Sequence, residues 1–443
     1  MNASASPYLN ASLPISGSIY EDHSILTIKR YIWVYLLLVF FEGALRKWFL
    51  PSLAGPLLVI RDPLTMAILY LAWKNGSLKL NYFVISMFVI GFFGVYTAFF
   101  LGHGNLYVAL FGARILVLHL PLIFVIGQVL TIKDVEKIGR FVTIITIPMT
   151  MLIIMQFYSP QTAWINKSVG GEAGGGFSGA MNFFRPPGTF SFTNGNTLFY
   201  SFSACFIINF WFNRAQINRL VLLAATIALL LSIPFSISRG LLFQVLISLG
   251  FAVIYALTKP KYTAGMILIL GLLIGVVFML SYSPYFTTAT AAFSSRYENA
   301  NTVEGGLNGV LLDRFLGGMI GAITTSSNQP FFGYGIGMGT NVGSMLLSGG
   351  RIFLISEGEW GRLIGELGPV VGLTVIFMRL KLAFSLIVQS LKRARMGVIL
   401  PWMLASFSAL SIAQAGLAQP TSLGFCVLIT GLTLASLKSG ALR

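Results

Sequence analysis

The sequence predicts an all-α polytopic membrane protein with about twelve transmembrane helices and a large outward loop between the ninth and the tenth. Three observations lead to this fold class. Hydrophobic residues make up 56% of the 443 residues and charged residues only 9%, whereas soluble domains carry about 25% charged residues. Apolar stretches of roughly 20 residues, the length that crosses a bilayer, recur from Tyr31 to Leu437. The basic residues between them fall alternately on two sides, with an excess on one side.

The composition also bears on other protein classes. The net charge of +16 does not indicate nucleic-acid binding, because much of it is lysine and arginine in short connections and no basic run carries interleaved aromatic residues. Cys205 and Cys426 both fall in apolar stretches, so we expect no disulfide. Residues 1–30 lack the features of a cleavable signal peptide, and we expect a cytoplasmic tail followed by a first span that serves as the insertion signal.

The side rich in lysine and arginine contains both termini, which predicts cytoplasmic termini and an even number of spans. Arg379 is assigned to this side, in the connection after the tenth span. The chain divides into the tail 1–30, spans one to nine in 31–282, a large outward loop at 283–359, and the last three spans with the C-terminus in 360–443. The spans are predicted at 31–49, 55–73, 81–101, 105–131, 140–157, 190–213, 218–236, 240–257, 263–282, 360–378, 396–415 and 420–437.

Two outward segments are longer than simple connections. The first, at 158–189, contains the run Gly170–Gly176, whose glycines predict a flexible loop. Two prolines and a glycine follow Arg185 near its end, so this guanidinium is expected to be held rigidly. The second, at 283–359, includes a predicted short amphipathic helix that carries Arg314. Loops of this length are often functional.

Seven arginines lie on the outward side, close to the predicted membrane. A guanidinium at membrane depth is costly, so such a residue usually has a specific anionic partner. A cluster of them facing outward favours a site for a large lipid-linked anion such as a polyprenyl diphosphate. These residues are Arg46, Arg61, Arg114, Arg185, Arg239, Arg314 and Arg362.

For several of these residues a structural interpretation is also open. Arg46 can pair with Glu42 one helical turn away, and the adjacent Lys47 and Trp48 are typical of a membrane-interface anchor. Arg61 is followed directly by Asp62, and the two either pair with each other or form the wall of a site.

The remaining arginines differ in how strongly they indicate function. Arg114 lies closer to the membrane interior, five residues before His119, which by itself is more typical of a structural histidine. Arg239 falls in a tight outward turn that needs no arginine, which favours a functional role. Arg314 is open between a solvated helix face and a site.

A last group of charged residues opens the tenth span. Glu359, Arg362 and Glu366 repeat at spacings of three and four, so they share one helix face. They either neutralise one another or form part of a site. Glu357 or Glu359, at the outer mouth, is also positioned to deprotonate a sugar hydroxyl.

The chain offers few residues for a metal or nucleotide site. It has three histidines and two cysteines, and no cluster of them has metal-ligand spacing. Neither an Asp-x-Asp pair nor a Walker loop is present. We therefore expect no metal ion and no cofactor.

The order of these motifs resembles the O-antigen ligase and O-antigen polymerase superfamily of bacterial envelope glycosyltransferases. The resemblance covers most of the chain at the level of topology, with about twelve spans and a large outward loop late in the sequence. Its local marks are Phe41–Trp48, which is similar to the first span of exopolysaccharide-polymerase-like members, then Arg185–Phe190 followed by Asn194 and Asn196, then Ser238–Gly240, and finally Arg314 before Pro330–Gly337.

The resemblance implies a GT-C-like membrane glycosyltransferase of the bacterial inner membrane with a periplasmic active site. Such an enzyme takes a glycan from undecaprenyl diphosphate and joins it to a growing glycan or to lipid A core, and other polysaccharide assembly proteins are possible partners. Arg239 and Arg314 would hold the diphosphate. Glu357 stands near the place where ligase members carry a histidine, which fits a polymerase or a divergent member better than a ligase.

We expect these residues to form one active site, with a metal-independent inverting displacement as the reaction. We expect catalytic roles for Glu357, Glu359, Arg239 and Arg314, and substrate binding by Arg185, Arg61, Arg114 and Arg362. A transporter or flippase of the same lipid-linked glycan is the main alternative, because it would use the same arginines. It needs a path open to both faces, however, and the charges crowd toward the outer ends of the spans. A scaffold within an assembly complex would not need the arginines at all.

Overall fold

A computed structural model describes residues 17–172, 174, 176–213, 216–259, 271, 282, 284–304, 318–350 and 352–438. Most of the predicted ninth span at 263–282 lies outside these residues, and so does Arg314. The described part is mainly helical. Its helices are α1 (Gly17–Ala44), α2 (Arg61–Lys74), α3 (Tyr82–Phe100), α4 (Leu106–Arg114), α5 (Leu120–Val129), α6 (Ile132–Tyr158), α7 (Thr193–Phe212), α8 (Arg219–Phe235), α9 (Arg239–Thr258), α10 (Pro284–Glu304), α11 (Gly318–Thr324), α12 (Asn341–Ser348), α13 (Glu359–Arg395), α14 (Leu400–Gln414) and α15 (Pro420–Leu437).

Within these ranges, eight helical segments are long and apolar enough to cross a bilayer, judged by length and composition. The prediction of an all-α membrane protein is therefore confirmed, whereas the number of twelve spans stays a prediction. One more apolar helix, α8, has 17 residues. The strands that the structure describes, β1 (Phe177–Ala180) and β2 (Phe183–Arg185), form a small antiparallel hairpin within the segment 158–189.

The helix at the centre of the bundle is α15, and 83% of its residues are buried. It packs against α5, α7 and α14. Glycines permit the close approach to α5: a Cβ on Gly431 would meet Ile126 at 2.7 Å, and one on Gly127 would meet Leu434 at 2.7 Å. Small residues at helix contacts are typical of bundles in which the surrounding lipid is as apolar as the side chains.

Short polar side chains set the start of several helices. The Thr131 and Asp134 side chains form a reciprocal capping box at the N-terminus of α6. The Ser238 side chain accepts the Leu241 N–H and caps α9. This cap fixes Arg239 as the first residue of α9, directly after the tight turn that the sequence predicts there.

Two of the predicted spans contain a π-helical turn. The first continues from α1 through Leu45–Phe49, and the fourth joins α4 to α5 through Ile115–His119. Such turns are rare in proteins and are frequent at functional sites. They turn Lys47 and His119 into the protein interior, and each of these residues is only 1% exposed.

The segment α13 is a helical hairpin and not one straight span. Gly368 has φ 80° and ψ 167°, and it is followed by Pro369, so the helix breaks there. A straight helix would separate Glu359 from Arg379 by about 30 Å, yet an Arg379 Nη1 lies 2.6 Å from Glu359 Oε1. Gly372 likewise abuts Ile364 on the first arm. The two arms, before and after Gly368, therefore lie side by side.

This hairpin corrects the assignment of Arg379. The sequence places this residue in a cytoplasmic connection, whereas the structure has it inside the second arm of α13 with 1% exposure. Its guanidinium also donates to the carbonyls of Ile412 and Ala415 at the end of α14. A hydrophobic profile could not reveal this, because the partner carboxylate is brought back by the break at Gly368.

The glycine-rich segment Pro330–Gly339 packs against the break in α13. Tyr334 N–H donates to the Gly365 carbonyl at 2.7 Å, and Gly335 N–H donates to the Glu366 carbonyl at 3.1 Å. Gly339 N–H donates to the Glu366 carboxylate at 2.8 Å. The segment thus satisfies helix-end carbonyls that the break leaves without an intrahelical partner, as a buried helix terminus requires.

We expect Gly368→Ala to destabilise the protein. The added Cβ would lie 2.0 Å from the Phe331 carbonyl oxygen, and the backbone conformation at this position is essentially restricted to glycine. The free energy of unfolding should fall by roughly 2 to 5 kcal/mol, measured as a lower thermal midpoint in detergent. Gly250→Ala on α9 is the matched control, because nothing lies within 4 Å of its added Cβ. Equal midpoints for the two variants would contradict the hairpin.

Candidate functional site

A cavity of about 380 Å³ opens beside the segment 158–189. It lies between that segment, the end of the first span and the start of α7. Its size is within the range of small-molecule sites. The wall combines basic, amide and aromatic side chains with one carboxylate: Lys47, Lys167 and Arg185; Gln156, Gln161 and Asn166; Phe177, Phe184 and Phe192; and Glu172.

Arg185 enters this cavity from strand β2. It pairs with Phe177 across the β1–β2 hairpin, and its guanidinium lies 5.5 Å from the centre of the Phe177 ring. The adjacent Phe183 stacks on Phe157 of α6 with ring centres 4.4 Å apart, which ties the strand to the helix bundle. The expectation of a rigidly held Arg185 therefore has a physical basis in strand pairing, in addition to the prolines that follow it.

Two other guanidinium groups act electrostatically on Arg185. Burial and the guanidinium groups of Arg296 and Arg239 lower the pKa of Arg185 to about 10, in that order of effect. Its Nε is buried without a hydrogen-bond partner, and within the described ranges no carboxylate forms an ion pair with it. Arg296 comes from α10 and also donates to the Gly179 carbonyl on β1 at 3.2 Å. A cluster of this kind is suited to an anion with several oxygen atoms.

The loop that carries the cavity wall is anchored at several points. Gln156 exchanges hydrogen bonds with the backbone of Gly188, and Asn166 donates to the carbonyls at the end of α6. Gly170 N–H donates to the Arg46 carbonyl at 3.2 Å. The glycine run predicts a flexible loop, yet its described part is attached to the first span. The amides of Gln156 and Asn166 therefore shape the cavity more than they offer free donors.

Lys47 is the cavity residue that sequence reasoning assigned differently. Its side chain is 1% exposed, its ammonium donates to the Gly188 carbonyl at 2.6 Å, and it lies 4.5 Å from the Trp48 ring centre. An interface anchor would reach toward headgroups or water, whereas the ammonium of this lysine is buried and donates to a backbone carbonyl. One feature of the sequence points to this difference. Glu42 lies one helical turn before Arg46, whereas no carboxylate lies one turn from Lys47.

Arg61 and Arg114, expected to bind substrate, take part in buried ion pairs. Arg61 lies 3.1 Å from Glu42, which also contacts Arg46 at 3.4 Å. Arg61 therefore pairs with Glu42 and not with the neighbouring Asp62. Arg114 lies 2.6 Å from Asp62, and His119 Nε2 lies 2.9 Å from the same carboxylate. Neither Arg61 nor Arg114 lines the cavity.

Arg362 is likewise held by carboxylates on its own helix arm. It contacts Glu359 at 2.9 Å and also Glu366. Glu359 is 6% exposed and accepts in addition from Arg379 at 2.6 Å and from the Leu417 N–H at 3.1 Å. Its lone pairs are thus occupied by a buried network. Of the two interpretations that the sequence left open, mutual neutralisation describes these contacts.

The other expected catalytic residues lie in different surroundings. Glu357 is exposed and does not line the cavity. Arg239, at the start of α9, acts electrostatically on Arg185. Arg239 and Arg296 both contribute to the lowered pKa of Arg185, and the sequence did not single out Arg296. Glu172 is the carboxylate in the cavity wall. In the sequence it is marked only by its position within the glycine run Gly170–Gly176.

Comparisons with protein-family models, with curated proteins and with solved structures gave no match for this chain. The resemblance to the O-antigen ligase and polymerase superfamily therefore stays an expectation from the motifs. The function has to be inferred from the cavity and its charges.

We expect Glu359→Gln to lower the free energy of unfolding by about 3 to 5 kcal/mol, because it leaves Arg379 buried without a counter-charge. Glu357→Gln, two residues away and exposed, should change it by less than about 0.5 kcal/mol. Thermal midpoints of both purified variants in the same detergent provide the measurement. A Glu359→Gln protein as stable as wild type would show that the network is not structural.

Proposed function

We propose that this protein is a membrane glycosyltransferase that takes a glycan from a polyprenyl diphosphate, such as undecaprenyl diphosphate, and joins it to a sugar hydroxyl of an acceptor. The acceptor is a growing polymer or lipid A core, and the reaction takes place at the periplasmic face. The observation that carries the proposal is Arg185, a partly buried guanidinium in a cavity, next to Arg239 and Arg296 and without a carboxylate partner in the described part of the chain.

The chemistry of the transfer fits such a cluster. The acceptor oxygen attacks the anomeric carbon, the bond from that carbon to the diphosphate oxygen breaks, and the diphosphate leaves with the electron pair. Negative charge grows on the leaving group in the transition state, where fixed guanidinium donors stabilise it. Arginine offers two parallel N–H donors to phosphate oxygens, which also orients the group.

The acceptor hydroxyl must lose a proton during the attack, and a carboxylate can receive it. Glu172 is better positioned for this role than Glu359, because it lines the cavity whereas Glu359 accepts from two guanidinium groups and an amide. Glu357 stays a candidate only if a movement brings it to the cavity. We therefore propose that Glu172 accepts the proton of the acceptor hydroxyl.

Transport of the same lipid-linked glycan is the second candidate function. The observation that favours it is α13, which is interrupted at Gly368 and packed against the glycine-rich segment Pro330–Gly339. Discontinuous helices of this kind are common in secondary transporters, where their ends meet the substrate. The broken end at Gly368 is, however, filled by Phe331 and Gly333.

We expect Arg185→Ala to lower the turnover number of glycan transfer by about 100- to 1000-fold, the usual effect of removing one donor to a developing anion. Arg185→Lys should fall between this variant and wild type, because it keeps the charge and loses the bidentate geometry. The assay uses purified protein in lipid nanodiscs with undecaprenyl-diphosphate-linked oligosaccharide and sizes the products. Arg30→Ala, an exposed arginine on α1, is the control and should be fully active.

The same assay separates the candidate functions. A ladder of longer lipid-linked glycans indicates a polymerase, and release of undecaprenyl diphosphate only in the presence of lipid A core indicates a ligase. Saturable binding of the lipid without turnover, together with its movement across proteoliposome membranes, would replace the transferase by a transporter. Full activity of Arg185→Ala would remove the assignment of the diphosphate to this cluster.

A further inference from the structure

The start of α7 forms part of the cavity wall, since Ser191, Phe192 and Thr193 all line the cavity. We propose that this helix N-terminus and the Thr193 hydroxyl form an oxyanion site, which binds a phosphate group together with Arg185. The inference deepens the proposed function, and it rests on that function only for the source of the phosphate, a lipid-linked diphosphate.

The N-terminus of α7 retains backbone donors beside the cavity. This helix of 20 residues begins at Thr193, and its N-cap residue Phe192 supplies no side-chain acceptor. The first N–H groups of a helix have no intrahelical acceptor. The N–H of Gly195 donates to the Phe192 carbonyl at 3.0 Å, whereas those of Thr193 and Asn194 have no acceptor among the described residues. Free N–H groups and the positive end of the helix dipole favour a bound anion.

The Thr193 side chain is a second, independent observation. It is 5% exposed, and its hydroxyl is buried without a hydrogen-bond partner among the described residues, although Thr193 lies in the cavity wall. A threonine inside a helix usually donates to the carbonyl of the preceding turn, as Thr146 does at 2.8 Å. Thr193 is the first residue of its helix and has no such turn before it. A phosphate oxygen would accept from this hydroxyl and supply the partner that a buried polar group requires.

Two hydrogen bonds attach the first turn of α7 to the neighbouring elements of the site. Asn196 Nδ2 donates to the carbonyl of Pro186, the residue directly after Arg185, at 3.3 Å. Thr197 Oγ1 lies 2.8 Å from the hydroxyl oxygen of Ser238, which caps α9. Asn196 and Thr197 are therefore positioning residues. They hold the helix N-terminus at a fixed spacing from Arg185, as the binding of one anion by both groups requires.

The test measures binding of inorganic pyrophosphate to the purified full-length protein in nanodiscs by calorimetry. Thr193→Val removes the hydroxyl and keeps the side-chain shape, so it should weaken binding by about 10- to 100-fold, the worth of a hydrogen bond to a charged group. Thr193→Ser keeps the hydroxyl and should bind nearly as tightly as wild type. Thr143→Val is the matched control and should bind like wild type, because its hydroxyl is also buried without a partner but lies on α6 and does not line the cavity.

Thermal midpoints without ligand separate binding from folding. Thr193→Val should be at least as stable as wild type, because its hydroxyl has no partner in the unliganded protein. Phe192→Asp places a carboxylate at the N-cap, where it can accept from the first-turn amides. It should therefore keep or raise the midpoint and weaken pyrophosphate binding by at least about tenfold. Gln419→Asp makes the same change at the N-cap of α15, outside the cavity wall, and should leave binding unchanged.

Absence of pyrophosphate binding to wild type, or unchanged affinity in Thr193→Val or Phe192→Asp, would overturn the inference. A large loss of thermal stability in Thr193→Val would indicate a structural role and would overturn it as well. Undecaprenyl diphosphate added to the nanodiscs identifies the source of the phosphate, and its displacement of pyrophosphate supports a lipid-linked diphosphate. Thr193-dependent binding of pyrophosphate that the lipid does not displace keeps the oxyanion site and removes the proposed transferase. Turnover of a lipid-linked glycan at the wild-type rate by Thr193→Val removes the oxyanion site alone.

Discussion

The pairing of charges inside an apolar helix bundle is the constraint on which the rest of this structure depends. Each carboxylate that lies within the described bundle interior contacts at least one guanidinium: Glu42, Asp62, Glu359 and Glu366. These pairs join α1 to α2, α2 to α4, and the two arms of α13. Because an unpaired ion would be far more costly than a paired one, the same contacts that neutralise the charges also fix the register of the helices.

The pairing of charges is less complete at the cavity than in the rest of the described bundle. Lys47 and Arg185 line it with Lys167, and the carboxylate in its wall, Glu172, is exposed. A partly buried guanidinium whose Nε has no hydrogen-bond partner, such as that of Arg185, is stabilised when an anion binds beside it. Strand pairing of β2, the π-helical turn at Leu45–Phe49 and the bonds of Gln156 to Gly188 hold the cationic groups in place. The fold thus holds Arg185 in a fixed position in the wall of the cavity beside the segment 158–189.

The packing around the break in α13 also reflects the absence of water inside the bundle. A break in a buried helix exposes carbonyl groups that need donors, and the backbone amides of Tyr334 and Gly335 supply them. Glycines are required where the segment passes Gly368 and α4, since a Cβ on Gly337 would lie 2.0 Å from the Val108 carbonyl. The glycines of the segment Pro330–Gly339 are therefore required for its packing against the hairpin of α13.

Composition and periodicity by themselves determined that this chain is a helical membrane protein, because both properties are local and are read along one helix at a time. The prolines after Arg185 and the tight turn at Arg239 are local signals too, and they singled out these two arginines as candidates. Only the tertiary structure decided the ion pairs between residues that lie far apart in the sequence. Arg61 pairs with Glu42 and not with the adjacent Asp62, and the break at Gly368 brings Arg379 beside Glu359. Such pairings join residues that are 19 to 52 positions apart, and no spacing along the chain encodes them.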